Sequence, residues 1–125
     1  TVYRVDEPLD FAFRVGQPPL PPAMQWLLKN EVASWAFLTA WNPGSRLLSQ
    51  TENRSRNALL YERLVSTGWP FYPALGASEQ GDWPPEESCW ILDIPAVAAV
   101  DLGRYFGQNA LVWWEKGGVV ELWYL

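Results

Sequence analysis

Polar side chains occupy positions between residues 39 and 57 where an apolar pattern would be expected. The stretch TAWNPGSRLLSQTEN, residues 39–53, leaves the most apolar segment of the chain, turns at Asn-Pro-Gly, and enters a helix whose first turns are polar. A buried Asn or Arg costs roughly 1–3 kcal/mol for each hydrogen-bonding group left unmet. These side chains therefore tie down the neighbouring turn, face a cavity for water or ligand, or dock a partner protein. The sequence leaves these interpretations open.

The helix predicted over Ser49 to Thr67 shows the change of character most clearly. Ser49 to Glu52 matches a capping box at its start, and Gly68 would end it. At 100° per residue one broad face is apolar and is predicted to pack on the core, through Ala58, Leu60, Tyr61, Leu64 and Val65. Carried back toward the start of the helix, the same face is occupied by Asn53, Arg54 and Asn57.

We predict a pocket where the apolar strand 32–41 ends and this helix begins. In open α/β sheets ligands bind outside the carboxyl ends of strands, and a helix amino terminus favours an anion. Four of the nine basic residues lie in this segment, namely Arg46, Arg54, Arg56 and Arg63. The predicted ligand is therefore small and polar or anionic, such as a nucleotide or phosphorylated metabolite, with Arg54 opposing its charge. The predicted lining is Thr39, Asn42, Ser45, Asn53, Arg54 and Asn57, with Glu87 and Gln108 closing the pocket.

Two glutamates form a second candidate group. Glu86 and Glu87 stand at the entrance of another apolar strand, and paired carboxylates can act as acid and base or hold a metal ion. Adjacent strand residues point to opposite faces, so only one of the two can look into a given site. Glu87, which shares a face with Cys89 and Ile91, is the preferred general base. A solvated pair of surface charges is the alternative.

The composition excludes several kinds of chemistry. The chain has no histidine, which removes Ser-His-Asp and Cys-His nucleophiles in their usual forms and histidine-ligated zinc. It has no GxGxxG or GxxxxGK[ST] motif, so no dinucleotide or P-loop site is indicated. The lone Cys89 lies in an apolar run and fits an inert buried thiol. The cofactor stays unknown, with a divalent ion as one alternative, and the sequence does not say whether the protein is an enzyme.

Charge and cysteine content limit the partners and the compartment. A net charge of −5 argues against nucleic acid or an anionic membrane as a partner. No run of 18 apolar residues could span a bilayer. A single cysteine allows no internal disulfide, and no signal peptide is recognisable, so a cytoplasmic setting is predicted.

Nine tryptophans support an alternative function. Wide aromatic side chains suit cores, but they also suit interfaces and ligand walls. A non-enzymatic interaction module would use the Trp-rich C-terminal hairpin, through Trp113, Trp114, Trp123 and Tyr124. A homo-oligomer through the C-terminal edge strand is the related possibility.

The elements that must position these residues follow from periodicity and turn signals. The sequence predicts strands at 2–5, 11–15, 32–41, 71–78, 87–94, 110–115 and 119–125, helices at 22–30, 49–67 and 95–106, and a loop at 79–86. The predicted fold is a single α/β or α+β domain over 1–125, with a mixed sheet of six to seven strands and three packed helices. The runs 32–41 and 87–94 lie in the middle, and Pro73 places its strand near an edge.

Four spaced motifs also resemble a known family. FLTAWNPGS, SQTENRSRNALL, GDWPPEES and GRYFGQNALVWW, in that order over roughly residues 30–115, resemble the domain of unknown function 3293, a family of small, mostly bacterial proteins. The resemblance implies one shared site without implying an activity. The positions that it implies are Thr39, Asn42, Pro43, Ser45, Asn53, Glu86, Glu87, Ser88, Gly107 and Gln108. PPEES departs from the pattern, since a less proline-rich approach to the glutamates is expected.

Overall fold

The computed structural model describes residues 1–81 and 83–125, so Asp82, in the predicted loop 79–86, lies outside the described residues. The elements are β1 (Val2–Val5), β2 (Phe11–Phe13), α1 (Pro21–Lys29), β3 (Ser34–Thr39), a 3-10 turn (Pro43–Ser45), α2 (Gln50–Thr67), β4 (Phe71–Ala77), β5 (Glu86–Leu92), α3 (Ala96–Tyr105), β6 (Ala110–Glu115) and β7 (Glu121–Tyr124). The three predicted helices and seven predicted strands are all found, each end within two residues of its predicted position.

The strands form one sheet in the order β2-β1-β4-β5-β3-β6-β7. The predicted fold class is confirmed, and the two apolar strands β3 and β5 are neighbours in the middle. The sheet was predicted to be mixed, but every described pairing is antiparallel. The crossovers β3-α2-β4 and β5-α3-β6 each join strands that run in the same direction. Each crossover skips one strand, and the two interleave, so adjacent strands are antiparallel.

The predicted edge position of Pro73 is wrong, because β4 lies between β1 and β5. The β1–β4 ladder ends at the pair Val5 and Ala74. Pro73 follows this end, where its carbonyl accepts from the backbone N of Asp6 at 3.1 Å. Pro73 has no N–H to donate to the Asp6 carbonyl. That carbonyl instead accepts a hydrogen bond from the backbone N of Asp10 at 3.3 Å. An interior strand therefore tolerates this proline at the end of a ladder.

The two faces of the sheet carry separate cores. On one face Trp35, Trp90 and Trp114 are fully buried with Leu27 of α1. On the other face the residues between them along the strands pack against α2 and α3, as Ile91 does with Leu60, Leu64 and Ala99. This alternation places residues of odd and even number on opposite sides of β3 and β5.

The sheet curls around the aromatic core. The segment after β2 and the residue before β7 approach each other, because Gly16 donates its backbone N–H to the Val120 carbonyl at 2.8 Å. Val120 in turn donates to the Gln17 carbonyl at 2.9 Å. The two edges of the sheet are thereby linked on the side that α1 covers. The resulting concave face is filled by aromatic side chains at one end.

Helix α2 begins and ends as predicted. Ser49 and Glu52 form a complete capping box, and Gly68 terminates the helix in the left-handed conformation. Its buried line is narrower than predicted and consists of Asn53, Asn57, Leu60 and Leu64. Ala58, Val65 and Arg54, all predicted on this face, are exposed instead. They lie about 100° around the helix from the buried line. Because α2 contacts the sheet on one side only, side chains at that angle remain exposed.

No described helix combines the length and the apolar character that crossing a membrane requires.

Candidate functional site

A cavity of about 900 Å³ lies at the open end of the concave face. Here the carboxyl ends of β3 and β4 meet the amino ends of β5 and β6. Its deep wall is apolar, with Phe37 and Val112, and the rim is formed by Ser45, Leu47, Leu48, Gln50 and residues 83–85. Polar side chains that line it are Thr1, Tyr3, Thr39, Asn42, Ser45, Gln50, Asn53, Glu86, Ser88, Gln108 and Asn109.

The rim is fixed by a pair of amides. The backbone N of Asn42 donates to Asn53 Oδ1 at 2.8 Å, and Asn53 Nδ2 donates to Asn42 Oδ1 at 2.9 Å. Asn42 Oδ1 also accepts from the backbone N of Leu48 at 3.0 Å. Asn53 is 2% exposed, so these bonds satisfy the amide that the sequence analysis left in question. Asn53 ties down the turn, and it also forms part of the cavity wall.

The turn itself packs against the loop between α3 and β6. Asn42, Gly44 and Ser45 all have positive φ, at 44°, 61° and 61°. The backbone N of Gly44 donates to the Gly107 carbonyl at 2.7 Å. Ser45 Oγ accepts from Asn109 Nδ2 at 2.9 Å. The two loops therefore form one surface beside the cavity.

Glu86 is the charged side chain of the cavity wall. Asn42 Nδ2 donates to its Oε1 at 3.3 Å. Burial raises the pKa of the Glu86 carboxyl, and the hydrogen bond from Asn42 opposes that rise in part. Burial also raises the pKa of the nearby Tyr3, and the negative charge of Glu86 adds to this rise. The Glu86 carboxylate thus sits in a partly buried, weakly solvated position.

Three predicted site residues shape the wall mainly through backbone contacts. Thr39 Oγ1 donates to the Glu87 carbonyl at 2.7 Å and accepts from the backbone N of Trp41 at 3.0 Å. Ser88 Oγ donates to the Glu86 carbonyl at 3.0 Å. Gln108 Nε2 donates to the Trp41 carbonyl at 3.0 Å, and no described residue donates to its Oε1.

The structure separates Glu87, Arg54 and Asn57 from the cavity. Glu87 lies on the same face as Cys89, as predicted, but the cavity is on the other face, so Glu86 and not Glu87 lines it. Glu87 Oε1 lies 3.6 Å from Arg54 Nε, with both side chains partly exposed. Asn57 is buried on the face of α2 that packs against the sheet, and no described group donates a hydrogen bond to its Oδ1. Burial is the main cause that raises the pKa of the Tyr61 hydroxyl to about 12, and an electrostatic contribution of Cys89 adds to it.

Arg56 has a structural role that the sequence analysis missed. Its Nε donates to the Ala40 carbonyl at 2.7 Å, and its Nη2 donates to the Phe106 carbonyl. It therefore joins α2 to the end of β3 and to the end of α3. Its only sequence signal was its place within the basic segment, because it lies beside the buried line of α2 and not on it.

None of the four arginines of the basic segment lines the cavity. Glu86 is the only acidic or basic side chain of the Asp, Glu, Lys and Arg types among its described lining residues. The predicted counter-charge for an anion is therefore missing from this wall. In addition, Glu86 and Glu87 point away from each other, and the described residues contain no group of three or more side chains suited to hold a metal ion.

The Trp-rich hairpin is largely part of the core. Trp113 and Trp114 are 3% and 0% exposed. Trp123 stacks on Trp113 with ring centroids 4.6 Å apart, and Tyr124 is 82% exposed. Two of the four residues predicted for an interaction surface are therefore unavailable to a partner.

Comparison with known protein families gives a match. The model of the family described as protein of unknown function (DUF3293) matches residues 38–111, which is more than half of the chain. The matched segment contains both loops of the rim, both glutamates, and helices α2 and α3. No curated protein and no solved structure matches the chain. The chain belongs to the DUF3293 family.

Replacing Gly107 by Ala tests the packing of the two loops. A Cβ at Gly107 would lie 3.0 Å from Pro43 Cβ, at a φ of +70°. We expect the variant to lose about 2–3 kcal/mol of unfolding free energy, from the strained φ and the close contact together. Gly117→Ala is the matched control, because φ there is +92° but nothing lies within 4 Å. It should lose about 1 kcal/mol. Urea denaturation measures both, and equal losses would show that the contact with Pro43 contributes nothing.

Replacing Glu86 by Gln tests the burial of its carboxylate. Folding raises the pKa of Glu86 from its ordinary 4.5, so its favourable contribution is present when it is protonated and is lost as pH rises through the folded-state pKa. We expect Glu86→Gln, which keeps the acceptor for Asn42, to be more stable than wild type at pH 7 and equal to it near pH 3.5. Urea denaturation across this range measures the difference. Glu87→Gln is the control, and a Glu86→Gln variant that is less stable at pH 7 would contradict the expectation.

Proposed function

We propose that this DUF3293 protein binds a small molecule in the cavity at the open end of its sheet. The observation that carries the proposal is the cavity itself, with a volume of about 900 Å³ and walls that combine aromatic and polar side chains. Sites for small molecules commonly have volumes of about 300–1,000 Å³ and a mostly apolar lining with a few polar groups. A ligand of nucleoside size would fit in such a space.

The rim supports the proposal because it is held rigidly. The Asn42–Asn53 amide pair, the Gly44–Gly107 hydrogen bond and the two Arg56 hydrogen bonds each join different elements of the wall. A preformed wall loses little conformational entropy when a ligand enters, and this favours affinity.

Polar groups at the wall give the ligand specific contacts. Glu86 and Gln108 both line the cavity, and one oxygen of each, Glu86 Oε2 and Gln108 Oε1, receives no hydrogen bond from the described residues. Both atoms are acceptors, so they favour a ligand that presents N–H or O–H donors. The polar ligand expected from the sequence suits this wall. An anionic ligand does not, because the described lining offers no Lys or Arg.

A thermal-shift screen with a blocked variant tests the proposal. The compounds are amines, nucleosides, sugars, carboxylates and phosphate esters, each with and without Mg²⁺. A ligand at a hundred times its dissociation constant stabilises the folded state by about 2.7 kcal/mol, which raises the unfolding temperature by on the order of 10 °C. Ala110→Trp would fill the cavity from the start of β6. We expect it to abolish the shift.

Val97→Trp is the control for this screen, because Val97 is 75% exposed on α3 and lies outside the cavity. It should keep the wild-type shift. A shift that survives in Ala110→Trp would place the ligand elsewhere, and a blank screen on folded protein would count against the proposal.

A second candidate is an interaction through the C-terminal edge of the sheet. Strand β7 is the outermost strand on its side, and its Tyr124 is 82% exposed. An edge strand offers unpaired backbone groups to another chain. If this edge forms a homodimer, light scattering should give a mass of two chains. The Tyr124→Lys variant should then have the mass of a single chain. A monomer at high concentration would contradict the homo-oligomer.

The expected cytoplasmic setting and the exclusion of nucleic acid stay predictions.

A further inference from the structure

The charge of the cavity wall carries an inference about the class of ligand. Glu86 is partly buried, and its carboxylate accepts one hydrogen bond, from Asn42 at 3.3 Å, from the described residues. A carboxylate in a weakly solvated position is stabilised by an opposite charge more than it would be in water. No Lys or Arg side chain among the described lining residues supplies that charge.

Three of the four arginines of the basic segment are held elsewhere, and the fourth, Arg46, is exposed and is not a lining residue. Arg56 binds the Ala40 and Phe106 carbonyls, and Arg54 lies beside Glu87 on the opposite face of the sheet. Arg63 lies over the ring of Tyr105, 3.7 Å from its centroid. None of these side chains lines the cavity.

Aromatic rings lie around the same space. Tyr3 and Phe37 meet edge to face with centroids 5.2 Å apart, and Trp41 adds a third ring to the lining. Trp83 is 46% exposed at the rim, and Leu47 beside the cavity is 83% exposed. Ring faces attract cations, and the attraction is stronger where water is displaced. Exposed apolar side chains at a rim suit the apolar part of a ligand.

From these contacts we infer that the cavity takes an organic cation, a protonated amine or quaternary ammonium attached to an apolar or aromatic group. The cationic head lies at Glu86, among the acceptor atoms of the wall, and the apolar part lies toward Trp83 and Leu47. This inference rests on the proposed function, because it names the chemical class that the cavity would bind.

The experiment compares three compounds of similar size and different charge, 2-phenylethylammonium, 2-phenylethanol and phenylacetate. Dissociation constants are measured at pH 7.5 by NMR titration of the tryptophan indole N–H signals of the full chain. We expect the ammonium to bind at least about tenfold more tightly than phenylacetate, with the alcohol between them. Ala110→Trp should weaken all three, which places the binding in the cavity.

Glu86→Gln tests the charge contact alone, since it keeps the side-chain shape and the acceptor for Asn42. We expect it to weaken the ammonium about tenfold and to change the alcohol less than about twofold. Glu87→Gln, on the opposite face, should leave all three constants unchanged. In the wild type the ammonium should bind more weakly as pH falls and Glu86 becomes protonated.

Three results would overturn the inference: phenylacetate binding as tightly as the ammonium, a Glu86→Gln variant with unchanged affinity for the ammonium, or no binding of the ammonium at about 10 mM. Each is distinct from failure of the proposed function. A compound of another class that shifts the wild type but not Ala110→Trp would leave the cavity as a binding site and remove only the cationic class.

Discussion

The paired hydrogen bonds between Asn42 and Asn53 hold the functional end of the molecule together. They join the residue that leaves the central strand β3 to the first buried turn of α2. The same Asn42 side chain fixes Leu48 on the rim and donates to Glu86 on the cavity wall. Because one amide serves all three contacts, the position of the Glu86 carboxylate depends on a turn more than forty residues earlier in the chain. Burial makes each of these bonds costly to lose.

The cavity arises from the way the crossovers interleave. Each strand–helix–strand unit returns the chain in the same direction, but a strand of the other unit lies between its two strands. As a result, two strand ends and two strand starts meet at one end of the sheet, together with the loop that precedes α2 and the loop that follows α3. The curl of the sheet makes this end concave, and α1 covers the other end. The topology therefore brings polar loops together over an apolar floor.

The basic and acidic groups near this cavity have separate uses. Arg56 donates hydrogen bonds to two backbone carbonyls. A guanidinium suits this role because it offers several donors in a fixed plane. The Glu86 carboxylate on the cavity wall accepts one hydrogen bond, from Asn42, and no Lys or Arg of the described lining offsets its charge. The segment is basic in sequence, yet no basic side chain is among the described residues that line the cavity beside it. Net charge along a stretch of chain does not reveal which face receives it, because neighbouring residues on a helix or strand point in different directions.

The sequence by itself determined the elements of this protein. Apolar runs and a hairpin signal identified the seven strands, and a capping box and Gly68 bounded α2. The departure of Asn53 and Asn57 from an apolar stripe marked two polar side chains that are buried. These are local signals, since they depend on spacing within a few residues. Only the tertiary structure decided that Glu86 and not Glu87 lines the cavity, that Arg54 lies outside it, and that Pro73 lies inside the sheet. Those outcomes depend on which face of each strand is covered and on which strand lies beside it, and residues far apart in the chain fix both.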